Sequence, residues 1–263
     1  MEISLFQVDA FASRPFEGNP AAVCPLNEWL DDATLQAIAA ENNLSETAFF
    51  VRESAGYRLR WFTPSVEVDL CGHATLAAAW VVFNELGDTA DTLTFMTRSG
   101  ELRVHRHEAG LAMDFPAKQP RAMAPAEAVL SALGLERGEV MMTDDLLVVV
   151  EDESIVDDVS PDMTRLMALP GRGVAVTAPG REFDIVTRWF GPKVGVEEDP
   201  VTGSAHTSLV PYWAERLGKT RLTARQGGRR RGQLRCEMRG ERVILIGQVA
   251  PYLRGTIRIS DGP

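Results

Sequence analysis

The chain has 263 residues, a formal net charge of −10, 45% hydrophobic and 24% charged residues, and three cysteines. The acidic balance argues against nucleic acid or an anionic membrane surface as the main partner. Cys24, Cys71 and Cys236 are odd in number and widely spaced, so they offer neither a disulfide framework nor a zinc spacing. The opening residues lack a signal-peptide pattern and no stretch approaches a membrane span, so a cytoplasmic protein is expected.

Ile3 to Ala10 alternates as a strand does, and Ala21 to Cys24 follows a turn at Phe16 to Pro20. Asp31 opens a helix running to about Glu41, with Leu35, Ile38 and Ala39 on one face and Asn42-Asn43 ending it. Strands are predicted at Thr47 to Val51, with Glu46 just before it, and at Tyr57 to Phe62. The helix after Gly72 is apolar on every side and should be buried all round, with strands wrapped about it. Three short strands follow, at Thr92 to Thr97, Glu101 to His107 and Leu111 to Phe115. Pro116 to Pro125 reads as a crossing between halves. Beyond it come a short helix at Ala126 to Leu133, a buried strand within Asp144 to Glu151, a helix at Asp162 to Leu169, and strands at Gly173 to Thr177 and Phe183 to Phe190. A helix after Gly203 carries Pro211, which should kink it. Short strands fill the remainder to Ile259, and Arg229-Arg230-Arg231 reads as a solvated hairpin tip rather than a phosphate patch.

Two stretches repeat. Arg60-Trp61-Phe62-Thr63-Pro64 leads to Cys71-Gly72-His73-Ala74-Thr75, and Arg188-Trp189-Phe190-Gly191-Pro192 leads to Thr202-Gly203-Ser204-Ala205-His206. Each then runs 15 positions from Gly72 to Gly87 or from Gly203 to Gly218. This is an internal duplication. Each copy places small residues at the mouth of a helix whose first-turn amides lack intrahelical partners, so each offers an anion site, although one copy alone would read as an ordinary capped helix.

Several residues are placed to carry chemistry. Glu46 lies against an apolar strand, where partial desolvation suits proton transfer; the plain alternative is an exposed strand-edge carboxylate. His73 can donate to a substrate anion or be satisfied within its own turn. Asp199, extended before Pro200, can relay a proton, orient an amine or hydroxyl, or sit in solvent. Ser204 can bind a carboxylate or cap its helix, and His206 is expected to pack behind the loop. Cys71, at a helix start, could be a base with a lowered pKa, but a two-thiol racemase needs a second cysteine and Thr202 occupies the matching position, and a lone thiol is more often a buried packing residue. His105 and His107 lack metal-ligand partners.

Phe16-Glu17-Gly18-Asn19-Pro20-Ala21-Ala22-Val23, Asn43 to Phe49, Phe62-Thr63-Pro64, Cys71 to Thr75, Asp199 to His206 and Gln226-Gly227 together resemble the PhzF family of phenazine biosynthesis, within the diaminopimelate-epimerase-like superfamily. The resemblance implies an α+β fold of two pseudo-symmetric domains, 1–117 and 118–263, each a curled sheet around a central helix, with the last strand able to return to the first half. It implies an active site in the cleft between them, no metal or organic cofactor, and a homodimer. It assigns proton transfer to Glu46, with His73 and Asp199 as catalytic companions, and substrate binding to Gly72, Gly203 and Ser204. The implied reaction moves a proton between carbons of a small carboxylate, as in trans-2,3-dihydro-3-hydroxyanthranilate isomerisation. The alternatives are an amino-acid epimerase or racemase and a non-catalytic metabolite-binding module.

Overall fold

Alternation of buried and exposed side chains makes Glu2–Ala10 the first strand, β1, in the computed structural model, which describes residues 1–259. Two compact units divide the chain: Met1–Asp114 with the segment from Ile246 onward, and Phe115–Leu245. In the first unit β1 lies antiparallel between the late strand Val249–Arg258 and β2, Asn19–Leu26. Asn19 and Pro20 therefore open a strand where a turn was expected, because their register opposite Ala10 and Asp9 extends the ladder. Helix α1, Asp32–Asn42, starts on the Asp31 carboxylate, which accepts from the Thr34 amide, and stops at Asn43 in left-handed conformation. Leu35, Ile38 and Ala39 bury its inner face.

β3, Glu46–Glu53, runs parallel to β2 and antiparallel to β4, Gly56–Phe62. β5, Glu67–Val68, pairs with β4 and delivers the chain to α2, Gly72–Asn84. Ten residues of α2 are buried, and it packs against β1, β2 and β3. The helix ends at Asn84, where the Glu85 and Leu86 amides both reach the Val81 carbonyl, and left-handed Gly87 turns the chain so that the Asp88 amide reaches the Val82 carbonyl. β6, Thr92–Thr97, then runs parallel to β4, followed by β7, Gly100–His107, and β8, Gly110–Pro116.

The second unit begins with β9, Arg121–Ala122, α3, Glu127–Leu133, and β10, Glu139–Met142. β11, Leu146–Val149, precedes α4, Glu153–Asp158, and α5, Met163–Met167. β12, Val174–Pro179, β13, Ile185–Gly191, and β14, Val196–Asp199, lead to α6, Gly203–Leu217, which continues through Pro211 and ends on left-handed Gly218. β15, Arg221–Gln226, and β16, Gly232–Arg239, form a hairpin whose tip holds Arg229 and Arg230; Arg225 and Arg231 both bind Asp157. β10 and α4 are absent from the sequence expectation. β10 is a four-residue run bounded by charge, and α4 is a six-residue helix started by Asp152 accepting from the Ser154 amide.

The pairings of the two units repeat strand for strand. β1 with β2, β2 parallel to β3, β3 with β4, β4 with β5, β4 parallel to β6 and β6 with β7 recur as β10 with β11, β11 parallel to β12, β12 with β13, β13 with β14, β13 parallel to β15 and β15 with β16. The same ion pair braces both copies. Arg60 grips Glu67 with Nε and Nη2 at 2.7 and 2.8 Å, and Arg188 grips Glu198 at 2.8 Å with both nitrogens. The guanidinium then lies over Phe62 at 5.1 Å or over Phe190 at 4.9 Å. Each pair ties the central strand to the loop that feeds the helix mouth. Replacing Arg188 by Met strands a partly buried Glu198 and should lower stability by about 1–3 kcal/mol in urea unfolding. Lys should restore little, because an ammonium cannot form the two-pronged pair.

Candidate active site

Strand pairing and a helix start bring the polar residues of the first unit together. The parallel register sets Glu46 beside Ala21, with Asn19 two residues earlier on β2. His73, in the first turn of α2, receives both: its Nε2 lies 3.1 Å from Glu46 Oε2, and its Nδ1 lies 3.2 Å from Asn19 Nδ2 and 3.5 Å from Cys71 Sγ. His73 is buried and Glu46 nearly so, with side chains 5% and 15% exposed. Glu46 is thus the first residue of its strand and turned inward, against the strand-edge alternative.

Burial opposes a charge on His73, whereas Cys71 in its thiolate form and the Glu46 carboxylate favour the proton and raise the imidazole pKa well above its usual value; with the thiol protonated, the Glu46 carboxylate is the charge that acts. Nε2 carries a proton in either charge state because it faces the carboxylate. Nδ1 accepts from Asn19 when the ring is neutral; in the charged ring it donates and needs Cys71 sulfur or the Asn19 amide oxygen. The Cys71 thiol is buried, as a packing residue would be, and its pKa moves away from the lowered value a reactive thiol would need. Burial first, then the Glu46 charge, pushes it to about 11, so it stays protonated despite its place at a helix start.

Neither helix mouth is closed by a side-chain cap. Cys71 and Thr202 occupy the N-cap positions of α2 and α6 in extended conformation, and neither side chain caps. Thr202 has a suitable hydroxyl but spends it on Asp199, donating to Oδ2 at 2.6 Å. Gln226, fully buried, holds that loop: Nε2 donates to the Asp199 carbonyl and to Thr202 Oγ1, both at 2.9 Å, and Oε1 accepts from the Thr202 amide at 2.9 Å. Gly227 follows at φ +101°, where a Cβ would meet the Arg230 and Pro200 carbonyl oxygens at 2.0 and 2.9 Å. The Gln226-Gly227 pair is therefore a clamp on the Asp199 loop. His206 is buried, as expected, and its Nδ1 lies 3.1 Å from the Thr202 carbonyl. Burial lowers its pKa to about 4, so it is neutral.

The second unit lacks the acid–base cluster at the matching places. The registers put Gly173 where Glu46 stands, Asp145 where Ala21 stands and Thr143 where Asn19 stands. Ser204 replaces His73 and accepts from Arg172 Nη2 at 2.6 Å. Asp145 accepts from Trp189 Nε1 at 3.1 Å, whereas the matching Trp61 Nε1 is buried with no hydrogen-bond partner. Asn19 as a site residue, Asp145, Arg172 and Gln226 were missed from the sequence. The repeat itself held the signal, through strand register, but the second copy has three more residues between its strand and helix and contains an unrecognised strand and helix.

Among the described residues Glu46, Cys71 and His73 form the one group with donor atoms close enough to hold a metal ion, all within 4.8 Å of one another. The imidazole separates the thiol from the carboxylate, since each touches a different ring nitrogen. One ion reaching all three would need the ring to turn.

A raised folded-state pKa makes the His73 contribution to stability full below the unfolded value of 6.5 and lost as pH rises through the folded value. The stability difference between the native protein and His73→Asn, measured by urea unfolding, should therefore shrink as pH is raised above 6.5. A difference that grows with pH would contradict the charged pair.

Comparison with known proteins follows the same lines. The family model described as phenazine biosynthesis-like protein matches residues 8–255. An uncharacterized isomerase of Pseudomonas aeruginosa is 63% identical over 98% of this chain and 100% of its own length, and a second from the same organism is 52% identical over 99% and 100%. The crystal structure of a PhzF-family protein from Enterococcus faecalis superposes with a TM-score of 0.96 at 46% identity, covering 98% of this chain and 100% of that one. The α+β fold is that of the PhzF proteins, and relatives named as isomerases support an isomerase here. No helix among the described residues is long and apolar enough to cross a membrane. By sequence along nearly its whole length and by fold, the chain belongs to the PhzC-PhzF family of phenazine biosynthesis-like proteins.

Proposed function

We propose that this protein is a cofactor-independent isomerase that moves a proton between carbons of a small carboxylate, as trans-2,3-dihydro-3-hydroxyanthranilate isomerisation requires. The observation that supports this most directly is the inward Glu46 carboxylate, 3.1 Å from His73 Nε2 at the uncapped mouth of α2. Glu46 takes the proton from one carbon and returns it to another. His73 orients the carboxylate and balances its charge. The Gly72 amide, with its neighbours in the first turn of α2, offers donors to a substrate anion. In the second unit Asp199 is assigned to a substrate amine or hydroxyl, and Gly203 and Ser204 to substrate binding.

Racemisation by paired thiols is less well supported. Thr202 stands at the position matching Cys71, and Cys71 holds its proton up to about 11. A homodimer is proposed on a different observation. Phe16, Tyr252 and Leu253 are exposed apolar residues, and the Phe16 and Tyr252 rings meet at 5.6 Å, a patch suited to a second copy.

The decisive assay follows trans-2,3-dihydro-3-hydroxyanthranilate in deuterium oxide by mass spectrometry. Glu46→Gln should slow both isomerisation and solvent-proton exchange by roughly 10²–10⁴-fold. Unchanged exchange would remove Glu46 from the mechanism.

A further inference from the structure

The second unit keeps the frame of the acid–base site but none of its titrating groups, and what replaces them is a cation. Gly173 cannot carry a carboxylate in Glu46's place, because its Cβ would lie 2.3 Å from the Trp189 ring. The preceding residue, Arg172, reaches the helix mouth instead. Its Nε and Nη2 grip Asp145 at 3.1 and 2.8 Å, and Nη2 also donates to Ser204 Oγ at 2.6 Å. The guanidinium lies 5.5 Å from the centre of the Trp189 ring. Asp145 is buried and also accepts from Trp189 Nε1, so the fork is held in one orientation.

An arginine that served only to neutralise Asp145 would need Nε and Nη2 alone. Nη1 makes no hydrogen bond among the described residues, and 37% of the side chain is open to solvent. Ser204 accepts from the guanidinium and so has its own proton to donate. The guanidinium and the Ser204 hydroxyl thus lie together in the first turn of α6, each with a donor to spare.

Resting on the reading that the substrate is a small carboxylate, we infer that Arg172 is a specificity-determining residue: its Nη1, with Ser204 Oγ, binds the substrate carboxylate, while Asp145 and Trp189 position the guanidinium.

The test uses anthranilate and its uncharged analogue anthranilamide as probes in titration calorimetry. The native protein should bind anthranilate more tightly than anthranilamide. Arg172→Met should weaken anthranilate about 10- to 100-fold and leave anthranilamide unchanged. Because that change strands the buried Asp145 carboxylate, Asp145→Asn combined with Arg172→Met removes the stranded charge and should give the same binding pattern. Arg172→Lys, which keeps the charge without the planar fork, should fall between. Thermal melting identifies the variants that fold. The proposal is overturned if the native protein binds neither probe or both equally, or if a folded Met variant retains anthranilate. Loss of anthranilate in the Arg172 variants together with unchanged solvent exchange in Glu46→Gln would sink the proton-shift reading and leave the carboxylate role standing. The reverse pattern would remove Arg172 alone.

Discussion

An imidazolium and a carboxylate can be buried only in each other's company. His73 and Glu46 sit in surroundings where either charge alone would cost several kcal/mol of lost hydration, and Nε2 and Oε2 lie 3.1 Å apart, a charge contact rather than an aligned hydrogen bond. Much of the first unit can be read as the means of holding that distance. β2 and β3 run parallel so that Asn19 and Glu46 emerge close together. The helix carrying His73 is apolar almost throughout, and burial on all sides leaves it little freedom to rotate or slide.

The same frame, built twice, shows which parts are scaffold and which are chemistry. The Arg–Glu grip and the aromatic beneath it are retained in both copies, because each loop must deliver its helix at the same angle. The N-cap positions are retained as residues that do not cap, one for want of a suitable side chain and one because its hydroxyl is engaged by Asp199. The functional groups diverge. A carboxylate, an imidazole and a thiol in one copy are matched by a glycine, a serine and a threonine in the other. A buried aspartate takes the place of an alanine and gives one tryptophan the partner its twin lacks.

The surroundings also separate side chains that composition treats alike. Two histidines of the helix starts are buried, yet one is driven toward its charged form by a carboxylate and the other is left neutral with only a carbonyl beside it. A cysteine at a helix start would ordinarily be read as acidic. Here desolvation and a nearby negative charge outweigh the dipole.

Much was determined by the sequence itself. The duplicated Arg-Trp-Phe lead-ins, the glycine mouths, the helix apolar on every side and the pairing of Asp31 with Asn43 as helix ends are local patterns, and local backbone preferences and side-chain periodicity decide them. Glu46, His73, Asp199 and Ser204 were legible as candidates for the same reason, since each stands at an element boundary. Tertiary structure alone decided the partners: Glu46 inward on His73, Asn19 behind the ring, Arg172 on Ser204, Gln226 clamping the Asp199 loop. Those contacts join residues from 24 to 54 positions apart. They are set by strand register, where one residue of slip turns a side chain to the opposite face, and register is fixed by the packing of the whole sheet rather than by any stretch that can be read alone.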